Sequence, residues 1–176
     1  MEHKILFTGV AGAGKTTAIG AVSEIPPMRT DVKNTDASLG KDTTTVGLDY
    51  GELTLDGGEK LRLYGTPGQV RFDFMWQILA KGALGLIILV DNRRPDPLAD
   101  LDMYLAGFKK LIADTACVVA IGRTETHPSP SLDQFAVHLE AQGILCPVLP
   151  TDVRDTAQVT QLLELLMLQL ETKDRT

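Results

Sequence analysis

Apolar positions run along the chain in two alternating rhythms. Residues 4–8 form a short apolar run, and residues 14–23 have helical character that stops ahead of Pro26-Pro27. Residues 29–44 are polar and aperiodic and read as a long loop; loops of that length in compact domains are usually functional. Two strands, 46–55 and 60–64, flank Asp56-Gly57-Gly58-Glu59, the clearest hairpin signal in the chain. A turn at 65–69 and a helix over 70–80 follow. Residues 84–90 and 117–121 are uninterrupted apolar runs of the kind that parallel strands buried on both faces require. Between them, Leu98, Leu101, Leu105, Phe108 and Ile112 recur at helical spacing and predict one amphipathic helix over 97–112. A helix at 132–142, a short strand at 147–149 and a last helix at 158–170 complete the series.

The order is β-α-β-β-α-β-α-β-α-β-α. It predicts an α/β three-layer sandwich with a six-stranded, mostly parallel sheet and one antiparallel strand supplied by the hairpin. A length of 176 residues suits one domain over 1–176. The formal net charge of -6 argues against a nucleic-acid binder. Cys117 and Cys146 have no metal-site or disulfide spacing. No apolar run is long enough to span a bilayer. Residue 2 is not glycine and no C-terminal cysteine invites a prenyl group, so a cytoplasmic protein without an anchor of its own is expected.

Candidate chemistry concentrates at Gly9-Val10-Ala11-Gly12-Ala13-Gly14-Lys15-Thr16, which matches G-x-x-x-x-G-K-[ST] at every fixed position. The run lies between a strand and a helix, where the mechanism needs it. Gly9, Gly12 and Gly14 let the backbone wrap around phosphates, and the N–H groups from Gly12 through Ala13 to Thr16 point inward. Lys15 bridges the β- and γ-phosphates in this arrangement. The Thr16 hydroxyl reaches Mg²⁺, and Thr17 is placed for the α-phosphate.

The loop alone does not separate GTPases from other P-loop proteins. Two further runs do: Asp42-Thr43-Thr44-Thr45-Val46-Gly47-Leu48-Asp49 before the hairpin, and Gly65-Thr66-Pro67-Gly68-Gln69 after it. With them the chain resembles the Ras-like small GTPases, in particular the bacterial MglA-like branch of gliding and polarity GTPases. The resemblance runs along essentially the whole chain and implies a Ras-like G domain that switches between GTP and GDP with Mg²⁺ as cofactor. It implies that Thr45 gives its hydroxyl to Mg²⁺ and its N–H to the γ-phosphate. Gly68 would give its N–H to the γ-phosphate, and Gln69 would orient the attacking water. The implied partners are a roadblock-fold activating dimer and an effector that reads the switches.

Base recognition has two registers in Gly122-Arg123-Thr124-Glu125-Thr126-His127. One sets Thr124 and His127 in the Asn and Asp places of Asn-Lys-x-Asp. The other lays Arg123 over the base and makes Glu125 the acceptor. In Thr151-Asp152-Val153-Arg154, the Val153 N–H would meet guanine O6 and Arg154 would pack on the base. The chain departs from the family pattern at Gly65, where the Mg²⁺-holding Asp is expected, and at Thr44, where the branch has arginine. Arg71 is a candidate internal arginine finger. Asp91 reads as a strand-end cap or as a metal-shell acid. Phe72, Phe74, Met75 and Trp76 form an apolar cluster beside the 65–69 turn that reads as core or as a partner surface.

Overall fold

The computed structural model describes residues 1–26, 28–33, 45–69 and 73–174. Asp42, Thr43, Thr44, Arg71 and Phe72 lie outside the described residues.

The chain begins with β1 (Glu2–Gly9), α1 (Lys15–Val22), β2 (Met28–Lys33), β3 (Thr45–Thr54) and β4 (Lys60–Gly65). It continues through α2 (Asp73–Ala80), β5 (Ala83–Asp91), α3 (Pro97–Gly107) and α4 (Lys109–Asp114). It closes with β6 (Ala116–Gly122), α5 (Leu132–Ala141), β7 (Val148–Pro150) and α6 (Thr156–Lys173). The strands form one sheet in the order β2-β3-β4-β1-β5-β6-β7. The pairs from β4 through β1, β5 and β6 to β7 are parallel. Only β3 runs against the rest, antiparallel to both β2 and β4. The α/β sandwich with one reversed strand therefore stands, but among the described residues the sheet has seven strands rather than six.

The seventh strand is β2, in a segment that reads as loop from sequence. Met28-Arg29-Thr30-Asp31-Val32-Lys33 has only two apolar residues. As the outermost strand it is held by backbone hydrogen bonds to β3, from Met28↔Tyr50 to Lys33↔Thr45, and it needs little hydrophobic patterning. The hairpin signal is realised at 55–59: Leu55 N donates to Glu59 O and Gly58 N to Leu55 O, both at 2.8 Å.

The centre of the sheet is the core. β5 and β6 are buried along nearly their whole lengths, as a parallel strand between two helical layers requires. α1 packs over β3, β4 and β1 and meets α6, which covers β5 and β6. α3 packs on β1 and β5 beside α2. The helix expected over 97–112 is jointed. Phe108 departs from helical backbone (φ -113°, ψ 21°), while Phe108 N still donates to Tyr104 O and Ile112 N to Phe108 O, both at 2.9 Å. The joint follows Gly107, a weak helix former, and it seats Phe108 against Trp76 with ring centroids 5.4 Å apart. Met75 and Trp76 are buried and Phe74 is partly so, which makes these three residues core.

Candidate phosphate and base site

β1 delivers the chain to the sheet's C-terminal edge, where Gly9, Gly12 and Gly14 adopt φ of 148°, 82° and 105°. Gly14 is the residue preceding α1, so the helix opens from a left-handed conformation in which side chains are strained. The first helical residue is Lys15. It is 8% exposed, and its Nζ donates to Gly9 O at 2.6 Å and Val10 O at 2.9 Å. Burial pushes its ammonium down to about 8, while the nearby Asp49 carboxylate pulls the other way. A desolvated ammonium that donates to carbonyls of its own loop is poised for a polyanion.

Ala13 is buried beneath the loop, whereas Thr16 and Thr17 are exposed on the helix's outer side. Thr16 Oγ1 donates to Asp49 Oδ2 at 2.6 Å. Asp49 lies on β3 directly across from Gly65 on β4.

The turn after β4 closes on the phosphate loop. Thr66 is buried; its N–H donates to Phe7 O at 2.9 Å and its hydroxyl shares a 2.6 Å hydrogen bond with that of Thr8. Gly68 then comes so near the loop that a Cβ on it would stand 2.5 Å from Ala11 N and 2.9 Å from Lys15 Nζ. Only glycine permits that approach. Trp76 Nε1 donates to Pro67 O at 3.3 Å, and the Tyr104 hydroxyl reaches toward Gly68 O at 3.5 Å. Gln69 is exposed at the end of this turn. Thr45 opens β3, paired with Lys33.

A cavity of about 1010 Å³ extends from Gly12, Gly14, Thr16 and Thr17 past Arg123, Thr124, Glu125 and Thr126 to the segment 149–154. That suits a nucleotide, and the phosphate loop forms one end of it. Arg123 takes φ 64°, an unusual backbone for a non-glycine residue, at the end of β6. His127 is not among the residues that line the cavity. Its N–H donates to Arg123 O at 2.8 Å, and its carbonyl accepts from Asn92 Nδ2 at 2.7 Å. Arg123 and Glu125 of one register and Thr124 of the other are on the cavity wall.

Opposite them, Val153 is buried and packs on Gly14, with its Cγ2 2.7 Å from where a Gly14 Cβ would be. Arg154, whose side chain is 81% exposed, forms a two-point pair with Asp152: Nε to Oδ1 at 2.9 Å and Nη2 to Oδ2 at 2.8 Å. Those hydrogen bonds hold the Asp152 carboxyl down at about 2. Asp152 is thus a cavity-lining anion that the sequence did not single out.

A family model described as "Conserved hypothetical ATP binding protein" matches residues 29–127, more than half of the chain. The chain belongs to this family. The matched part of this family member begins after the phosphate loop and ends at His127, so it takes in β2 to β6 and the 65–69 turn. The chain is also 31% identical over 93 residues to Uncharacterized protein MJ1339 of Methanocaldococcus jannaschii, covering 51% of each chain. It therefore spans about half the length of that relative. Along nearly its whole length it is similar to Ras-related protein RabC of Dictyostelium discoideum: 23% identity over 96% of this chain and 84% of RabC. GTP-binding protein ypt1 of Schizosaccharomyces pombe is 24% identical over 90% of this chain and 74% of its own.

In this family member Asp91 is bound to Arg93 at the end of β5. Its buried carboxylate caps the end of β5, taking Arg93 N at 3.0 Å and Arg93 Nη2 at 2.8 Å. Burial raises this carboxyl, but the Arg93 hydrogen bonds outweigh it and hold the group below its usual range. The strand-end reading of Asp91 is the one its contacts favour. The oxygen donors at the phosphate loop are instead Thr16 Oγ1 and Asp49 Oδ2. Hard oxygens of this kind suit Mg²⁺, which takes one or two carboxylates and draws its remaining ligands from water and phosphate.

Proposed function

We propose that the protein is a small GTPase switch that binds Mg²⁺-GTP in the cavity between the phosphate loop and the 123–126 and 151–154 segments, and hydrolyses it slowly when alone. The observation that carries this reading is the closure of the Gly65–Gln69 turn onto Lys15: Gly68 touches the loop that would hold the γ-phosphate. A turn in that place senses whether the terminal phosphate is present. Whole-chain similarity to Ras-related and GTP-binding proteins supports the same reading. The Thr-Pro-Gly-Gln run adds the MglA-like branch to the proposal.

In this reading the N–H groups of Gly12 to Thr16 hold the phosphates, and Lys15 exchanges its carbonyl partners for phosphate oxygens. Gly68 N–H meets the γ-phosphate and Gln69 orients water for in-line attack. Thr16 and Thr45 offer hydroxyls to the metal. These hydroxyls would hold Mg²⁺, which would supply positive charge against the charge that develops on the phosphates. Glu125 accepts from the guanine N1–H and amino group, Arg123 packs on the ring, Val153 N–H donates to O6 and Arg154 flanks the base. A roadblock-fold activator and an effector that reads the switches would act on the turn, in the cytoplasm. Among the described residues no helix is long and apolar enough to cross a membrane.

The family's description names ATP, so the base is the point to test. Titration of GTP, GDP and ATP with and without Mg²⁺ should show a preference for guanine; tighter ATP binding would turn the assignment to an ATPase. Single-turnover hydrolysis should slow in the Gln69→Leu variant, and nucleotide binding should fall in Lys15→Ala. A Gln69→Leu protein with unchanged intrinsic and partner-stimulated rates would remove Gln69 from the mechanism.

A further inference from the structure

The chain's two cysteines, Cys117 and Cys146, stand 29 residues apart, a spacing without a disulfide signature. The sheet brings them together. β6 and β7 pair in parallel with Val119 opposite Val148, Ala120 opposite Leu149 and Ile121 opposite Pro150, each pair offset by the same 29 residues. Cys117 is therefore in register with Cys146, which directly precedes Pro147, whose carbonyl accepts from Val119 N at 2.9 Å. Paired strands run about 4.8 Å apart, inside the range of about 4.4–6.8 Å between α-carbons that a disulfide spans. The two thiols are already hydrogen-bonded to each other. We propose that Cys117 and Cys146 are a thiol–disulfide site, oxidised by a low-molecular-weight disulfide to an intramolecular bond that clamps the leading end of β7 to β6. The inference stands apart from the nucleotide reading.

The two sulfurs are not equivalent. Cys117 is 3% exposed within a strand buried along its length. Cys146 is partly exposed at the outermost strand, beside Leu145, which is 87% exposed. The hydrogen bond from Cys117 holds the Cys146 thiol below its usual range, while the same bond and burial push Cys117 well above it. The thiolate is the nucleophile, so access and acidity both make Cys146 the first to react.

Cys146 gives up its proton, and its Sγ attacks one sulfur of the incoming disulfide, whose S–S bond breaks and releases one thiolate. Cys117 then loses its proton, and its Sγ attacks Cys146 Sγ and expels the second thiolate. The protein dithiol loses two electrons and the small disulfide gains them; the two thiol protons leave on the two released thiols. The bond would lengthen an existing seam. Downstream, Thr151 N donates to Ile121 O at 2.9 Å; upstream, Gly143 and Ile144 donate to Glu140 and Leu139 of α5 rather than to β6.

The test uses the whole reduced chain, oxidised glutathione as the probe and peptide mapping by mass spectrometry. Wild type should lose both free thiols, keep no glutathione and yield a peptide joined through residues 117 and 146. Cys117→Ser removes the second attack and should retain one glutathione, on Cys146. Cys146→Ser should react at least about 10-fold more slowly than wild type. Deuterium uptake over residues 144–148 should fall on oxidation and return with dithiothreitol. Glutathione retained by wild type, bonds formed only between chains, unchanged uptake, or a Cys146→Ser protein that reacts as fast as wild type would overturn the proposal. Cys117→Ala carries the same expectation as Cys117→Ser should the buried hydroxyl prevent folding, and the wild-type map decides without either. No readout involves a nucleotide, so the outcome is independent of the function reading.

Discussion

Lys15 carries a signature that binding should erase. Its ammonium is held at about 8 by burial, with Asp49 opposing. Phosphates raise an ammonium's pKa, so the bound value must exceed the free one. Below pH 8 both forms are protonated and affinity should be flat. Above it, binding must take up a proton, and affinity should fall as pH rises. Calorimetry at pH 8.5 in two buffers of different ionisation heat would show proton uptake in wild type and none in Lys15→Ala. Gly68→Ala tests the turn. A Cβ 2.5 Å from Ala11 N must displace it, so the ratio of triphosphate to diphosphate affinity should shrink while diphosphate binding persists. At this scale the sequence was uneven. The phosphate loop could be read off because its chemistry is local and contiguous. Asp49 could not: nothing near it in the chain says that residue 65 faces it, and that adjacency exists only once the hairpin is registered. His127, which one base register offers, does not line the cavity, and its N–H and carbonyl are bonded in the turn that follows β6.

Elements were legible wherever burial imposes a rhythm. β5 and β6 read as strands because two helical layers demand continuous apolar residues. β2 was opaque because an outermost strand can be polar, and the 97–112 helix hid its joint because the apolar period continues through Phe108. That joint makes a stability prediction. Phe108 is 2% exposed and stacked on Trp76 at an interplanar angle of 17°. Phe108→Ala should destabilise the fold by about 3–5 kcal/mol, read by urea unfolding. By contrast Ser131→Ala, which removes the α5 capping box, should cost about 1 kcal/mol. Trp76 also donates to Pro67 O, so its emission should shift when triphosphate rearranges the turn, and should not shift with Gly68→Ala.

At the scale of the molecule, the phosphate loop, the 65–69 turn and the base segments all lie at the sheet's C-terminal edge, where α/β folds bind ligands. Ligand binding there should stabilise the whole chain, by about 2.7 kcal/mol at a nucleotide concentration 100 times Kd. A thermal midpoint that climbs with GDP and Mg²⁺ but not with either alone would tie the metal and nucleotide to one site. The seventh strand sets a mechanical condition on any such response. β3 is laced to a neighbour along each flank, so it cannot slip past β4 as a single ribbon without either dragging β2 along or tearing that seam open. Signalling through β3 would then recruit the polar fringe of the sheet, and deuterium uptake at Met28 to Lys33 should change in step with uptake at Val46 to Tyr50 when the nucleotide is exchanged.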